Sequence, residues 1–162
     1  MKLLREGFLV GLVGAFALAL WFLAVDAMAG RALHTPAALG AALFRGPDAA
    51  LAAATGAGQV TLVLGYTLFH GLVFTAAGII LAHVVTMLEQ EPAVLLVAFF
   101  AVFVFFEFAY FVFAVAFVQR VIEEISFPVL IAGNVLAAGA MGGMLYWRHP
   151  RLHATWQLKL DS

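Results

Sequence analysis

The amino-acid sequence predicts an all-α integral membrane protein: a four-helix transmembrane bundle with short interfacial helices between its first and second spans. Three observations carry this expectation. Hydrophobic residues make up 65% of the 162-residue chain and charged residues 10%, whereas about a quarter of the residues in a soluble domain are charged. Four apolar stretches each exceed the ~20 residues a helix needs to cross hydrocarbon. Each stretch also holds one strongly polar side chain, Asp26, His70, Glu107 or Asn134, which must find a partner where water is absent.

Taken in order, the first span runs from Gly7 to Ala29, after Lys2 and Arg5. Its end, Ala27-Met28-Ala29, has the small residues of a signal-peptide cleavage site. The apolar core from Gly7 to Val25, however, is longer than the ~7–15 residues of a signal core, so a retained helix is expected. Residues 30–58 form an outer surface segment. In it Thr35 reads as a helix cap with Pro36 at the first helical position, and Gly46-Pro47-Asp48 as a break and restart. These signals predict two short helices, with Leu39, Leu43 and Phe44 lying on the membrane or covering the bundle. The stretch from Asp26 to Phe44, with Ala29-Gly30-Arg31 and His34-Thr35-Pro36, is motif-like but attaches to no chemistry. The second span covers Gln59 to Met87, the third Pro92 to Gln119 and the fourth Ile125 to Trp147, leaving a tail of residues 148–162 in a single domain without internal repeats.

Four spans place both termini on one side. Lys2, Arg5, Arg148, Arg151 and Lys159 lie there, against Arg31, Arg45 and Arg120 on the other. Under the positive-inside rule this excess predicts cytoplasmic termini in a bacterial-type inner membrane.

Composition excludes several functions. A formal net charge of −1 offers no basic field for nucleic acid or anionic lipid. With no cysteine, the chain cannot form disulfides, thiolate metal sites, iron–sulfur clusters or covalent c-type haem attachments. Ser126 and Ser162 are the only serines, and neither lies in a nucleophile-elbow context. Phosphate-binding glycine loops and His-Glu-x-x-His metal spacing are absent from the sequence. His149 and His153, four apart across Pro150, read as tail residues with at most adventitious metal affinity.

Lipid tails are as apolar as leucine, so membrane helices associate through small residues and interhelical hydrogen bonds. Gly7, Gly11, Ala15 and Ala19 recur every four residues in the first span. Gly71, Thr75, Gly78 and Ala82 share a face of the second, and the fourth carries Gly139/Gly143 beside Ala138/Gly142. The third span differs. It has nine phenylalanines between Phe99 and Phe117, and Phe99, Phe103, Phe106, Tyr110, Phe113 and Phe117 recur at alternating four and three. That helical stripe could seat a flat cofactor or a partner, or fill core and lipid contacts.

At ~1.5 Å per residue, Glu107, Asn134 and His70 lie about 3 to 6 Å from the middle of their spans on the same side, while Asp26 lies nearer the outer surface. Tyr66 and Tyr110 share helix faces with His70 and Glu107. The six residues read as an intramembrane polar cluster. Its structural form is a clasp in which Glu107 accepts from His70 while Asn134 and a tyrosine satisfy the rest. Its functional form is a proton-linked or quinone site, because a neighbouring carboxyl and imidazole can exchange a proton. Haem is a further version: His70 and His83 are 13 residues apart on one helix, a separation that resembles the paired haem ligands of the cytochrome b family. That likeness implies a second pair from a homodimer, and the two histidines stand roughly 140° apart around the helix axis.

The sequence therefore predicts no catalytic residue and no metal site. Its expected role is a non-enzymatic accessory or scaffold subunit of a larger membrane assembly, or of a homo-oligomer, docking through helix faces. The alternative is a small redox or proton-handling protein with quinone or haem around His70 and Glu107.

Overall fold

The computed structural model describes residues 2–46, 58–87, 93–113 and 127–149. These form five helices: α1 (Lys2–Met28), α2 (His34–Arg45), α3 (Gln59–Met87), α4 (Ala93–Phe113) and α5 (Phe127–Arg148). Three stretches, Lys2–Met28, Gln59–Thr86 and Phe127–Arg148, are long and apolar enough to cross a membrane. α1 starts five residues before the expected Gly7, since Lys2, Leu3, Leu4, Arg5 and Glu6 are all good helix formers. α3 has the expected bounds. α5 is described from Phe127, the expected start at Ile125 lying outside the described residues, with Pro128 in its first described turn. The expected end of the third span at Gln119, the second surface helix after Gly46, the acidic turns and His153 lie outside the described residues.

α1 is the central element, packed against both α3 and α5; α2 covers α3, and α4 lies beside α5. Val10, Leu81, Val85, Met141 and Leu145 make the tightest core, at the end of the bundle that bears the N-terminus. His149 Nε2 lies 3.1 Å from Glu6 Oε1 at that same end. His149 is thus a buried residue tying the end of α5 to the start of α1, not the free tail residue expected from sequence. Farther along, Trp21 Nε1 donates to the Val129 carbonyl at 2.8 Å, and Gly133 makes room for the Trp21 and Leu18 side chains.

The small-residue stripes set how closely the helices approach. A Cβ on Gly7 would fall on the Ile79 backbone, one on Gly11 on the Phe74 carbonyl, and one on Gly78 on Gly7 and Gly11. α1 and α3 therefore cross backbone to backbone, the geometry that lets dispersion contacts replace the missing hydrophobic drive. Of the two stripes on α5, Ala138 and Gly142 are buried, whereas Gly139 and Gly143 are exposed. Ala19 and Gly71 do not join the contact: Ala19 is exposed and nothing lies within 4 Å of a Cβ on Gly71.

This crossing makes unequal demands on similar glycines. Gly78→Ala should destabilise the fold by about 1–3 kcal/mol through overpacking, while Gly71→Ala should be neutral or stabilising by up to ~1 kcal/mol through helix propensity. Reversible unfolding of both variants in mixed micelles checks this; equal effects would mean that α1 and α3 do not cross at Gly78.

Candidate functional site

Asp26 lies in the last turn of α1, where the negative end of the helix dipole disfavours a carboxylate. It is 3% exposed, and its partners explain why it is there. Oδ2 accepts the Thr35 backbone N–H at 2.7 Å, and Oδ1 accepts the Thr35 hydroxyl at 2.7 Å. The Asp26 carbonyl also accepts the Arg31 N–H at 2.9 Å. Both carboxylate oxygens thus sit at the positive N-terminus of α2 and satisfy an amide that the helix itself cannot.

The expected Thr35 cap is corrected by this arrangement. α2 begins at His34 and the capping position is Leu33, whose side chain cannot accept a hydrogen bond and whose φ is +66°. Thr35 stands one residue inside the helix and donates its hydroxyl instead of accepting with it. The cap comes from a residue nine positions back on another helix. Leu33 in left-handed backbone carries a cost of about 1–2 kcal/mol, offset by charge-assisted bonds of about 1.5–3 kcal/mol each.

The remaining polar residues form two separate groups. Asn134 Nδ2, on α5, donates to Glu107 Oε1, on α4, at 2.8 Å, and Asn134 is buried. His70 is not part of that pair. Its Nε2 lies 3.4 Å from the Ala15 carbonyl oxygen of α1, and its ring stacks on Tyr66 with centroids 5.8 Å apart and meets Phe74 at 4.5 Å. The clasp expected between His70 and Glu107 is thus replaced by Glu107 with Asn134, and His70 with the α1 backbone. Separate helix faces account for the division: α3 turns His70 toward α1. Tyr110 belongs to α4, but its side chain lies outside the described residues. His83 is exposed on α3. Among the described residues no group of three or more histidine, aspartate or glutamate side chains could hold a metal ion, and no buried side-chain polar atom lacks a hydrogen-bond partner.

A cavity of about 250 Å³ opens between α1, α2 and α3. Its wall is mostly apolar and includes Phe16, Leu20, Leu33, Leu39, Tyr66 and His70. No residue pattern announces it, because it is made where α2 folds back along α3. The nearest signals are Thr35-Pro36, which marks where α2 begins, and the shared face of Tyr66 and His70.

Two substitutions separate the roles of these groups. Asp26→Ala removes both acceptors and should cost about 2–4 kcal/mol, with Asp26→Asn costing less because one oxygen remains; urea or SDS titration of the folded fraction reads both. Glu107→Gln should stay within about 0.5 kcal/mol of the parent, since its amide oxygen still accepts from Asn134, whereas Glu107→Leu should lose about 1–2 kcal/mol by stranding a buried amide. A loss with Gln as large as with Leu would show that the carboxyl itself is required.

No family model, no curated protein and no solved structure matches the chain.

Proposed function

We propose that the chain is a non-enzymatic accessory or scaffold subunit of a larger membrane protein assembly, anchored by four spans with α4 as the third of them, and with both termini on the cytoplasmic side of a bacterial-type inner membrane. The observation that carries this reading is the outer face of α4. Val97, Phe100, Val104, Phe108 and Phe111 are all exposed, and at 100° per residue they fall within an arc of about 80° along the helix. Spacings of three and four along one arc make a knobs-into-holes seam, which suits another transmembrane helix.

The sequence expected a different stripe, with Phe99, Phe103, Phe106, Tyr110, Phe113 and Phe117 in line. Of these, Phe103 is partly buried and packs on the core, while the other side chains lie outside the described residues. Among the described side chains of α4, the exposed phenylalanines are Phe100, Phe105, Phe108 and Phe111. Internal polar demand also favours a docking role over chemistry. Glu107 and Asn134 meet each other, and Asp26 is fully engaged at the start of α2, so neither carboxylate stands ready for a substrate.

Native mass spectrometry of the untagged protein, extracted gently from its own membranes, tests this. A heteromeric assembly is expected, and Phe100→Ala/Phe108→Ala should release the chain from it while leaving its helicity unchanged. A chain that runs as a monomer in mild detergent, with no partner, overturns the proposal.

A further inference from the structure

We propose that the cavity between α1, α2 and α3 is a binding site for an aromatic alcohol carrying an apolar tail, with the ligand hydroxyl donated to Nδ1 of His70. The chemical class includes the reduced, quinol form of membrane quinones, and the site is independent of any docking by α4.

The tautomer of His70 leads to the class. The Ala15 carbonyl oxygen, 3.4 Å from Nε2, can only accept, so a hydrogen bond there requires the tautomer with the hydrogen on Nε2. In a neutral imidazole the other nitrogen is then an acceptor with no hydrogen of its own. The bond at Nε2 is the only one shown for His70 among the described residues, and His70 is part of the cavity wall, which leaves Nδ1 as the ring nitrogen for a ligand. A site with an acceptor and no matching donor on this ring takes a hydroxyl and discriminates against a bare carbonyl or ether, since two lone pairs facing each other gain nothing.

Shape narrows the class further. A dry cavity of about 150 Å³ is enough for benzene, so about 250 Å³ admits a six-membered ring with a short length of chain. Tyr66 stacks on His70 and the Phe74 ring is tilted against it along α3, so Tyr66 and His70 present aromatic surface at the cavity wall to an incoming ring. Phe16, Leu20, Leu23 and Leu33 are exposed residues at the same cavity, so its rim opens sideways into the lipid, where a tail can lie. Leu33 is held in its left-handed conformation at this rim by the Asp26 to Thr35 bonds that start α2.

The test uses the full chain in lipid nanodiscs, with histidine ring nitrogens labelled by ¹⁵N, titrated separately with 4-octylphenol, 4-octylanisole and 1-decanol. Octylphenol should bind saturably and about tenfold tighter than octylanisole, which differs in carrying a methyl ether in place of the hydroxyl, and it alone should shift the Nδ1 signal of His70. Decanol, which has the hydroxyl but no ring, should bind more weakly than octylphenol. His70→Phe should bring octylphenol down to the affinity of octylanisole. Leu20→Trp, placed at an exposed position of the wall and so compatible with folding, should weaken both ring compounds. Equal affinity for octylphenol and octylanisole would overturn the hydroxyl assignment, and equal affinity for decanol the ring assignment. Absence of saturable binding, or no effect of Leu20→Trp, would overturn the site.

Discussion

The carboxylate of Asp26 determines where α2 begins, and much of the upper bundle depends on that. A turn of five residues, from Ala29 to Leu33, joins α1 to α2, and it contains two residues of positive φ, Gly30 and Leu33. Such a turn has little reason to hold a single shape by itself. It is fixed from both sides by one residue: the Asp26 carbonyl takes the Arg31 amide, and the Asp26 side chain takes the Thr35 amide and hydroxyl. Once α2 is started there, its small residues Ala37, Ala38, Ala41 and Ala42 can be buried, and Gly40 can meet the Leu62 carbonyl of α3. A carboxylate at the C-terminal end of one helix would ordinarily be unfavourable; here the N-terminus of the next helix reverses the sign of the local field.

The two ends of the bundle are consequently packed by different rules. Near the N-terminus, glycine backbones touch and Val10, Val85, Met141 and Leu145 are almost fully buried. Toward α2 the residues on α1 grow larger, with Phe16, Leu20, Trp21, Phe22 and Leu23 succeeding the glycines. Phe16, Leu20 and Leu23 are exposed, Trp21 packs on α5, and α2 closes over α3 only in part, which leaves the cavity beside His70.

Periodicity and composition foretold the all-helical class, the bounds of α3 and the small-residue faces on α1 and α3, because each of these depends on residues close in sequence or on a single helix face, though not that these two faces meet. Thr35-Pro36 marked the right place for a helix start, but local rules assigned the cap to Thr35, when the acceptor was Asp26. Capping signatures look three residues ahead; no local pattern reaches nine residues back across a turn. The polar layer was misread for a related reason. Depth along a span is legible from residue counts, but rotation about each axis is set by packing, so His70 and Glu107 at similar depths could still face different neighbours. The stripes on α5 show the same limit: two were equally good by spacing, and only Ala138 with Gly142 found a partner surface.

α4 lacks the means by which its neighbours associate. It has no glycine, so the glycine-to-glycine crossing seen between α1 and α3 is not open to it. The hydrogen bond from Asn134 to Glu107 ties it to α5, and interhelical bonds of this kind in membranes average only about 0.6 kcal/mol. At 100° per residue Glu107 stands about 20° from Phe100 around the helix axis, so the bond to α5 lies at the edge of the exposed arc of Val97, Phe100, Val104, Phe108 and Phe111. The exposed arc beside that bond is the face that the proposed docking would use.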